Sequence, residues 1–483
     1  MSSSSQQSCS AIGNRWTALP RYLSKLHPIA REAHLICDDK LTVTSKADSH
    51  AESPPPAYRE AMDFPALIRH FNLRDKRSLY IALTAPILGY YLSRVLSVAL
   101  SSRSQHRSNI LASPRKSLQL LDPAQDPDAI PYPPDALPGA RDVDTPYGNI
   151  RVYEWGPSDG RKVLFVHGIS TPCIAFAGMA KLLVEQEGCR VMLFDLYGRG
   201  YSDTPDPTLY PQDVRLFTTQ ILLVLASSEL AWTAGRSLGG RFTLVGYSLG
   251  GGIGAALTSY FPSLVGSLVL IAPSGLIRPK HISLTSKLLY GDLLPQWLVK
   301  FYVANRLKGR PPIPFARTEK SGNPEATVDL AKAADSEVPD SNSKHPALAA
   351  NSEAALFPER PGISPANTVA WQLDAHPGFL PAFISSIQHA PVTNQHDRWR
   401  LIGSRQSARG ETSDPGSVQA LKQGKVLILL GEQDQVIVAD EVEEDATRVL
   451  GAENVECVRL EGGHDVPIVN ARGCVDAIIT FLQ

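Results

Sequence analysis

The sequence predicts an α/β architecture: a mostly parallel, doubly wound sheet of about eight strands with an inserted helical segment. Three observations carry that expectation. Short, near-continuous apolar runs recur from residue 141 onward, most of them closing on glycine or acidic residues. Amphipathic stretches of helical period lie between them. The strand rhythm stops between about 274 and 420 and then resumes.

The elements follow in order. GNIRVYEWG alternates like a strand, and RKVLFVHG (161–168) and CRVMLFDLYGRG (189–200) are buried runs. VRLFTTQILLVLASSELAW (214–232) has the period of an amphipathic helix. RFTLVGYS and SLVLIAP are the next strands, and KVLILLG and ENVECVRLEG the last two. Apolar strands separated by helices imply a sheet covered on both faces. Within the insertion, KHISLTSKLLYGDLLPQWLVKFYVANRLKG reads as one or two helices and SPANTVAWQLDAHPGFLPAFISSIQ as another pair. The polar stretch 318–362 between them reads as a disordered insert.

The first 140 residues read differently. Residues 1–77 are basic and rich in Ser and Pro, a composition that buries too little apolar surface to fold. Arg15, Arg21, Lys25 and Arg31 precede the first acid, Glu32, as in a mitochondrial transit peptide. The other reading is a basic tail, in which Pro20 and Pro28 interrupt any helix. Residues 78–100, SLYIALTAPILGYYLSRVLSVAL, are the most lipophilic stretch and read as a membrane-associating helix, spanning or interfacial. Residues 101–140, dense in Pro and Asp, read as an extended tether ahead of a domain over 141–483.

A formal net charge of −1 over 483 residues gives no reason to expect a nucleic-acid partner. Six cysteines without a C-x-x-C pair argue against a structural zinc site. The chain also lacks an N-x-S/T sequon. These features favour a reducing, cytosol-facing setting on a membrane such as the ER, with mitochondrial and cytoplasmic locations as alternatives.

G-x-S-x-G occurs twice, around Ser237 and around Ser248. A nucleophilic serine in this motif needs a strand before it and a helix after it. Arg241–Val245 leads straight into Gly246, and GGIGAALTSYF follows Ser248. Ser237 has the end of a helical pattern before it and a strand after it, so its glycines serve a turn. Ser248 is therefore the candidate nucleophile. A serine hydroxyl needs a base, and the base an orienting acid. Asp434, after KVLILLGEQ, and His464, in EGGHD, follow the last two strands. Glu432 falls too early in its turn, and Asp440 is expected to cap the next helix. The amides of Ile169 and Leu249 are the candidate oxyanion donors. His167 is expected to brace the loop that carries Ile169. His376 and His389 are expected to be packing or surface residues of the insertion. Such chemistry uses no metal or organic cofactor.

In these motifs, VLFVHGIS, LFDLYGRGYSD, LVGYSLGGG, LILLGEQDQVI and LEGGHDVPI, the sequence resembles the α/β-hydrolase fold superfamily in its serine hydrolase branch. The resemblance covers 141–483 outside the insertion. Ser248 differs from the aspartate nucleophile of dehalogenases and soluble epoxide hydrolases. Leu249 and Gly250-Gly251-Gly252 depart from the Met and Trp usual around the nucleophile of haloperoxidase-like members. GEQDQVI after an N-terminal apolar segment is similar to membrane-bound monoacylglycerol lipases, though this insertion is larger than theirs. The resemblance implies ester hydrolysis through an acyl-enzyme, with the insertion as a lid. Its apolar residues, among them Leu293, Trp297, Phe301, Trp371, Phe379 and Phe383, would favour an apolar substrate, although most of them are expected only to pack the lid on the core. The alternatives are a non-catalytic binding protein on the same fold, and a carbon–carbon bond or thioester hydrolase using the same triad.

Overall fold

A computed structural model describes residues 84–85, 88–93, 109–115, 130–233, 241–282, 284–291, 293–308, 354–357, 360–408 and 420–483. The expected disordered region 1–77, most of 78–100, most of 318–362, and Ser237 lie outside these residues. The chain divides into two units, Met1–Ser101 and Ser102–Gln483. In the first unit the described residues are helical, with Leu88, Tyr91 and Leu92 exposed. Among the described residues no helix is long and apolar enough to cross a membrane.

Among the described residues the second unit contains ten strands: β1 (Ile110–Leu111), β2 (Ala140–Val143), β3 (Ile150–Trp155), β4 (Lys162–Val166), β5 (Arg190–Phe194), β6 (Thr204–Pro205), β7 (Phe242–Tyr247), β8 (Val265–Ile271), β9 (Val426–Gly431) and β10 (Val455–Leu460). Eight of them form one sheet in the order β10-β9-β8-β7-β4-β5-β3-β2. β2 and β3 run antiparallel at one edge, and the pairings from β5 through to β10 are parallel. β4, β5, β7, β8 and β9 are buried along almost their whole length, which is why they read as continuous apolar runs. β3 departs from its expected alternation. Arg151 and Glu154 are buried there, and Arg151 is held by Asp142 and Glu154 by Arg190.

The principal helices are α1 (Ala177–Glu187), α2 (Val214–Ala226), α3 (Leu249–Tyr260), α4 (Leu284–Leu289), α5 (Gln296–Leu307), α6 (Pro365–Ala375), α7 (Phe379–His389), α8 (His396–Ser407), α9 (Ala439–Leu450), α10 (Val466–Val469) and α11 (Ala471–Leu482). α2, α3, α8 and α9 pack as one layer, and α1 and α11 as another. α2 starts where Asp213 accepts from the amides of Arg215 and Leu216. It stops at Ala226, short of the expected 232. Ser228 Oγ and Trp232 Nε1 instead donate to the buried Glu154 carboxylate over 2.8 and 3.0 Å. A buried carboxylate thus outcompetes helix propensity there.

Two boundaries differ from expectation. The 101–140 segment is not simply a tether. β1 pairs with β6, Tyr132 is fully buried, and its hydroxyl donates to Asp195 over 3.0 Å. Arg151 also donates to the Pro134 carbonyl over 2.6 Å. Proline removes donors but leaves carbonyls, and these are what the core engages. The insertion also ends before 420. α8 packs between α3 and α9 as the crossover helix that a parallel β8–β9 connection requires. The insertion proper is α4 to α7. The end of the expected disordered insert is packed as well, with Leu356 buried and its amide bonded to Ile363.

Candidate active site

β7 ends in a turn that only certain residues can make. Ser248 sits at φ 51°, a left-handed conformation unusual for a residue with a side chain. A Cβ on Gly246 would overlap the Gly250 carbonyl, and one on Gly250 would overlap the Val166 carbonyl. These two approaches explain both glycines of the motif. The turn is tied on either side, since the Ser248 amide donates to Ile271 and its carbonyl accepts from Gly251 and Ser274. α3 starts at Leu249, which places Ser248 at a helix N-terminus.

The turns after β9 and β10 bring two further side chains to this point. His464 Nε2 lies 3.0 Å from Ser248 Oγ, and its Nδ1 lies 2.9 Å from Asp434 Oδ2. Asp434 Oδ1 accepts the amides of Val436 and Ile437 over 2.7 and 2.8 Å. A carboxylate can only accept, so His464 Nδ1 carries the proton and Nε2 accepts from Ser248 Oγ–H. The side chains of His464 and Asp434 are 3% and 1% exposed, which keeps water from competing for these bonds.

Glu432 is exposed. Asp440 is the second residue of α9 rather than its cap, and it pairs with Arg459 over 2.6 Å. Ile169 and Leu249 line the same cavity as Ser248. His167 is fully buried, with Nδ1 bonded to the Gly168 carbonyl and Nε2 accepting from the Leu196 amide, each over 2.8 Å. Burial, helped by nearby Arg199, pushes its pKa down to about 3, so it stays a neutral brace. His376 is also buried, bonded to the Ser202 carbonyl and the Gly378 amide. His389 is exposed.

The cavity over Ser248 measures about 420 Å³ including its open mouth. Its walls are apolar: Ile277, Phe383, Ile387, Val392, Val436 and Ile437. Of the apolar insertion residues singled out in the sequence, Phe383 alone lines it. Leu293, Trp297 and Phe301 are exposed, Phe379 is core, and Trp371 packs on Tyr132 and Tyr201. Val436 and Ile437 were legible in principle, because they directly follow Asp434. Their amides hold that carboxylate while their side chains form the wall.

Sequence reasoning also missed a pair beside the site. The Tyr247 hydroxyl donates to Asp465 Oδ1 over 2.7 Å, linking the residue before Ser248 to the residue after His464. Burial raises the pKa of Asp465, while neighbouring His464 lowers it. Among the described residues no cluster of His, Cys, Asp and Glu is arranged to hold a metal ion.

The family model for the alpha/beta hydrolase fold matches residues 162–471. A serine hydrolase-like protein of Danio rerio is 29% identical over 133 residues, 27% of this chain and 37% of that protein. A serine hydrolase-like protein of Homo sapiens is 29% identical over 126 residues, 26% of this chain and 56% of that protein. The match thus spans roughly a third to just over half of these relatives' length. Among solved structures, a hydrolase from Pseudomonas aeruginosa aligns with 71% of this chain and 98% of its own, at 16% identity and a TM-score of 0.43.

Proposed function

The chain belongs to the α/β-hydrolase fold family, and on that premise we propose that it is a serine hydrolase that cleaves carboxylic esters with an apolar acyl or alcohol group. The observation that carries this reading is the unbroken run of hydrogen bonds from Ser248 through His464 to Asp434, at 3.0 and 2.9 Å, opening on an apolar cavity.

His464 takes the Ser248 proton as the hydroxyl oxygen attacks the ester carbonyl. Asp434, anchored by two amides, holds the ring and stabilises its charged form. The Ile169 and Leu249 amides receive the oxyanion. Removing one such donor costs on the order of 2.7–4 kcal/mol. The tetrahedral adduct collapses, His464 protonates the leaving alcohol, and the acyl group stays on Ser248. Water, deprotonated by His464, then attacks the acyl-enzyme and releases the acid. α4 to α7 act as the lid that shapes the acyl site, and Phe383 and Ile387 are its contribution to the cavity.

A fluorophosphonate probe tests the reading. Labelling of the full chain that disappears in Ser248→Ala supports it. A folded chain that does not label is instead a binding protein on a hydrolase fold. p-Nitrophenyl esters of increasing chain length, run beside monoacylglycerols, then define the substrate class. The lipophilic segment 78–100 extends the proposal to esters presented at a membrane. Fractionation of the full chain against one lacking residues 1–100 tests that part, and an unchanged distribution removes it.

A further inference from the structure

We propose that Gln372 is a positioning residue that sets the oxyanion loop from the inserted helices, so that the insertion completes the catalytic geometry as well as covering it. This assignment rests on the serine hydrolase reading above.

The loop after β4 has three successive carbonyls, and a side chain grips each. The Gly168 carbonyl is held by His167 Nδ1 over 2.8 Å. The Ile169 carbonyl accepts from Arg199 Nε over 2.9 Å. The Ser170 carbonyl accepts from Gln372 Nε2 over 3.0 Å. The Ile169 N–H shares a rigid peptide plane with the Gly168 carbonyl, which His167 holds, and the plane after Ile169 carries the carbonyl that Arg199 holds. The Ser170 carbonyl lies one plane further on, so Gln372 acts on the Ile169 N–H indirectly, by pinning the next residue of the loop and the chain that carries Arg199. His167 and Arg199 lie near the loop in sequence. Gln372 comes from α6, 202 residues beyond Ser170.

Gln372 braces the loop a second way. Its Oε1 accepts the Gly200 amide over 2.8 Å, immediately after Arg199. The Arg199 guanidinium is in turn steadied by α7, where Nη2 donates to Ser386 Oγ over 2.8 Å. Ser386 Oγ donates onward to the Ala382 carbonyl over 2.9 Å. Gln372, Arg199 and Ser386 are each fully buried. A fully buried amide is costly unless both its ends are bonded, and a leucine would fill the space at lower cost. The polar side chain is therefore explained by what it holds. What it holds are the Ser170 carbonyl and the strand of chain that aims Arg199 at Ile169.

The test compares Gln372→Met, which keeps the volume and removes the amide, with the milder Ser386→Ala, both in the full chain. Hydrolysis of a p-nitrophenyl ester gives kcat and KM. Inhibition by an alkylboronic acid, whose tetrahedral adduct on Ser248 carries the oxyanion, reads the hole directly. A misplaced donor in an otherwise intact site should lower kcat by roughly 10- to 100-fold. KM should stay within about twofold, and boronic acid affinity should weaken by the same factor as kcat. Ser386→Ala should show a smaller loss in the same direction. The assignment is overturned if boronic acid affinity and kcat survive both changes, or if KM alone rises. It is also overturned if kcat falls without any change in boronic acid affinity. Should Gln372→Met fail to melt cooperatively, Gln372→Asn, which stays polar but is one methylene too short for the Ser170 carbonyl, is read by the same three measurements and decides. A wild-type chain that neither labels with fluorophosphonate nor hydrolyses the ester overturns the hydrolase reading itself, before any variant is compared, and takes this assignment with it.

Discussion

The turns at the ends of β7, β9 and β10 and the helices inserted between β8 and β9 meet over one serine, but they are built by different rules. Each strand-end turn is specified locally. Gly246 makes room for the Gly250 carbonyl four residues on, and Asp434 is fixed by the amides two and three residues on, although Gly250 also admits the Val166 carbonyl of the neighbouring strand. The insertion is specified by distant partners. Gln372, Ser385 and Ser386 bond to residues 172 or more positions away. Local specification makes a rigid point for chemistry, and distant specification makes a surface whose shape can vary while that point stays constant.

Substitutions in the two regions should separate these roles. The largest effect belongs to the elbow. Ser248→Ala should lower kcat by roughly 10⁶-fold and Asp434→Asn by about 10⁴-fold, with the fold retained, as read by ester hydrolysis beside thermal melting. Retained activity in Ser248→Ala would break the comparison at its root. Next comes Gly250→Ala. The added methyl collides with the Val166 carbonyl, and stability should fall by about 3 kcal/mol or more in urea titration.

An acid-sensitive step should come from His376, which stands where the insertion meets the sheet. Burial lowers its pKa to about 4 from 6.5. The unfolded chain therefore binds a proton that the folded chain refuses. Its contribution is fully present above pH 6.5 and is lost as pH falls from 6.5 towards 4, at up to about 1.4 kcal/mol per pH unit. Melting temperatures across that range should fall less steeply in His376→Gln. An equal slope would exclude His376 as a source. The smallest effect should be Ile387→Ala on the cavity wall. It should move the preferred ester chain longer, changing relative kcat/KM by about tenfold while leaving the fluorophosphonate labelling rate nearly constant. A labelling rate that fell with it would mean that the insertion and the elbow are not separable.

The strand-end region was legible in the sequence because its signals are short. An apolar run, a glycine turn and a chemically suited side chain lie within ten residues at β4, β7, β9 and β10, and they singled out Ser248, His464 and Asp434, which hydrogen-bond in series, and Ile169 and Leu249, which line the same cavity. The insertion was legible as helices and not as contacts. Trp297 and Phe301 read as lid residues that would pack on the core or face the substrate and are exposed, whereas Val392 and Ile277, outside every helix singled out, line the wall. An apolar residue announces that it will be buried, but not against what. α8 was misassigned for the related reason that a crossover helix and an inserted helix have the same period. Tyr132 was hidden inside a Pro-rich run whose composition resembles a linker, although its phenol ends on Asp195.

By itself the sequence determined the layered α/β plan, the strand order along the chain and the residue types at each strand end, because these depend on periodicity and on turns a few residues long. Tertiary structure alone decided that the Ile169 and Ser170 carbonyls would be held by Arg199 and Gln372, which insertion side chains face the cavity, and where the Pro-rich segment docks. Those outcomes depend on side chains far apart in sequence finding the same few ångströms, and nothing local to either partner encodes the other.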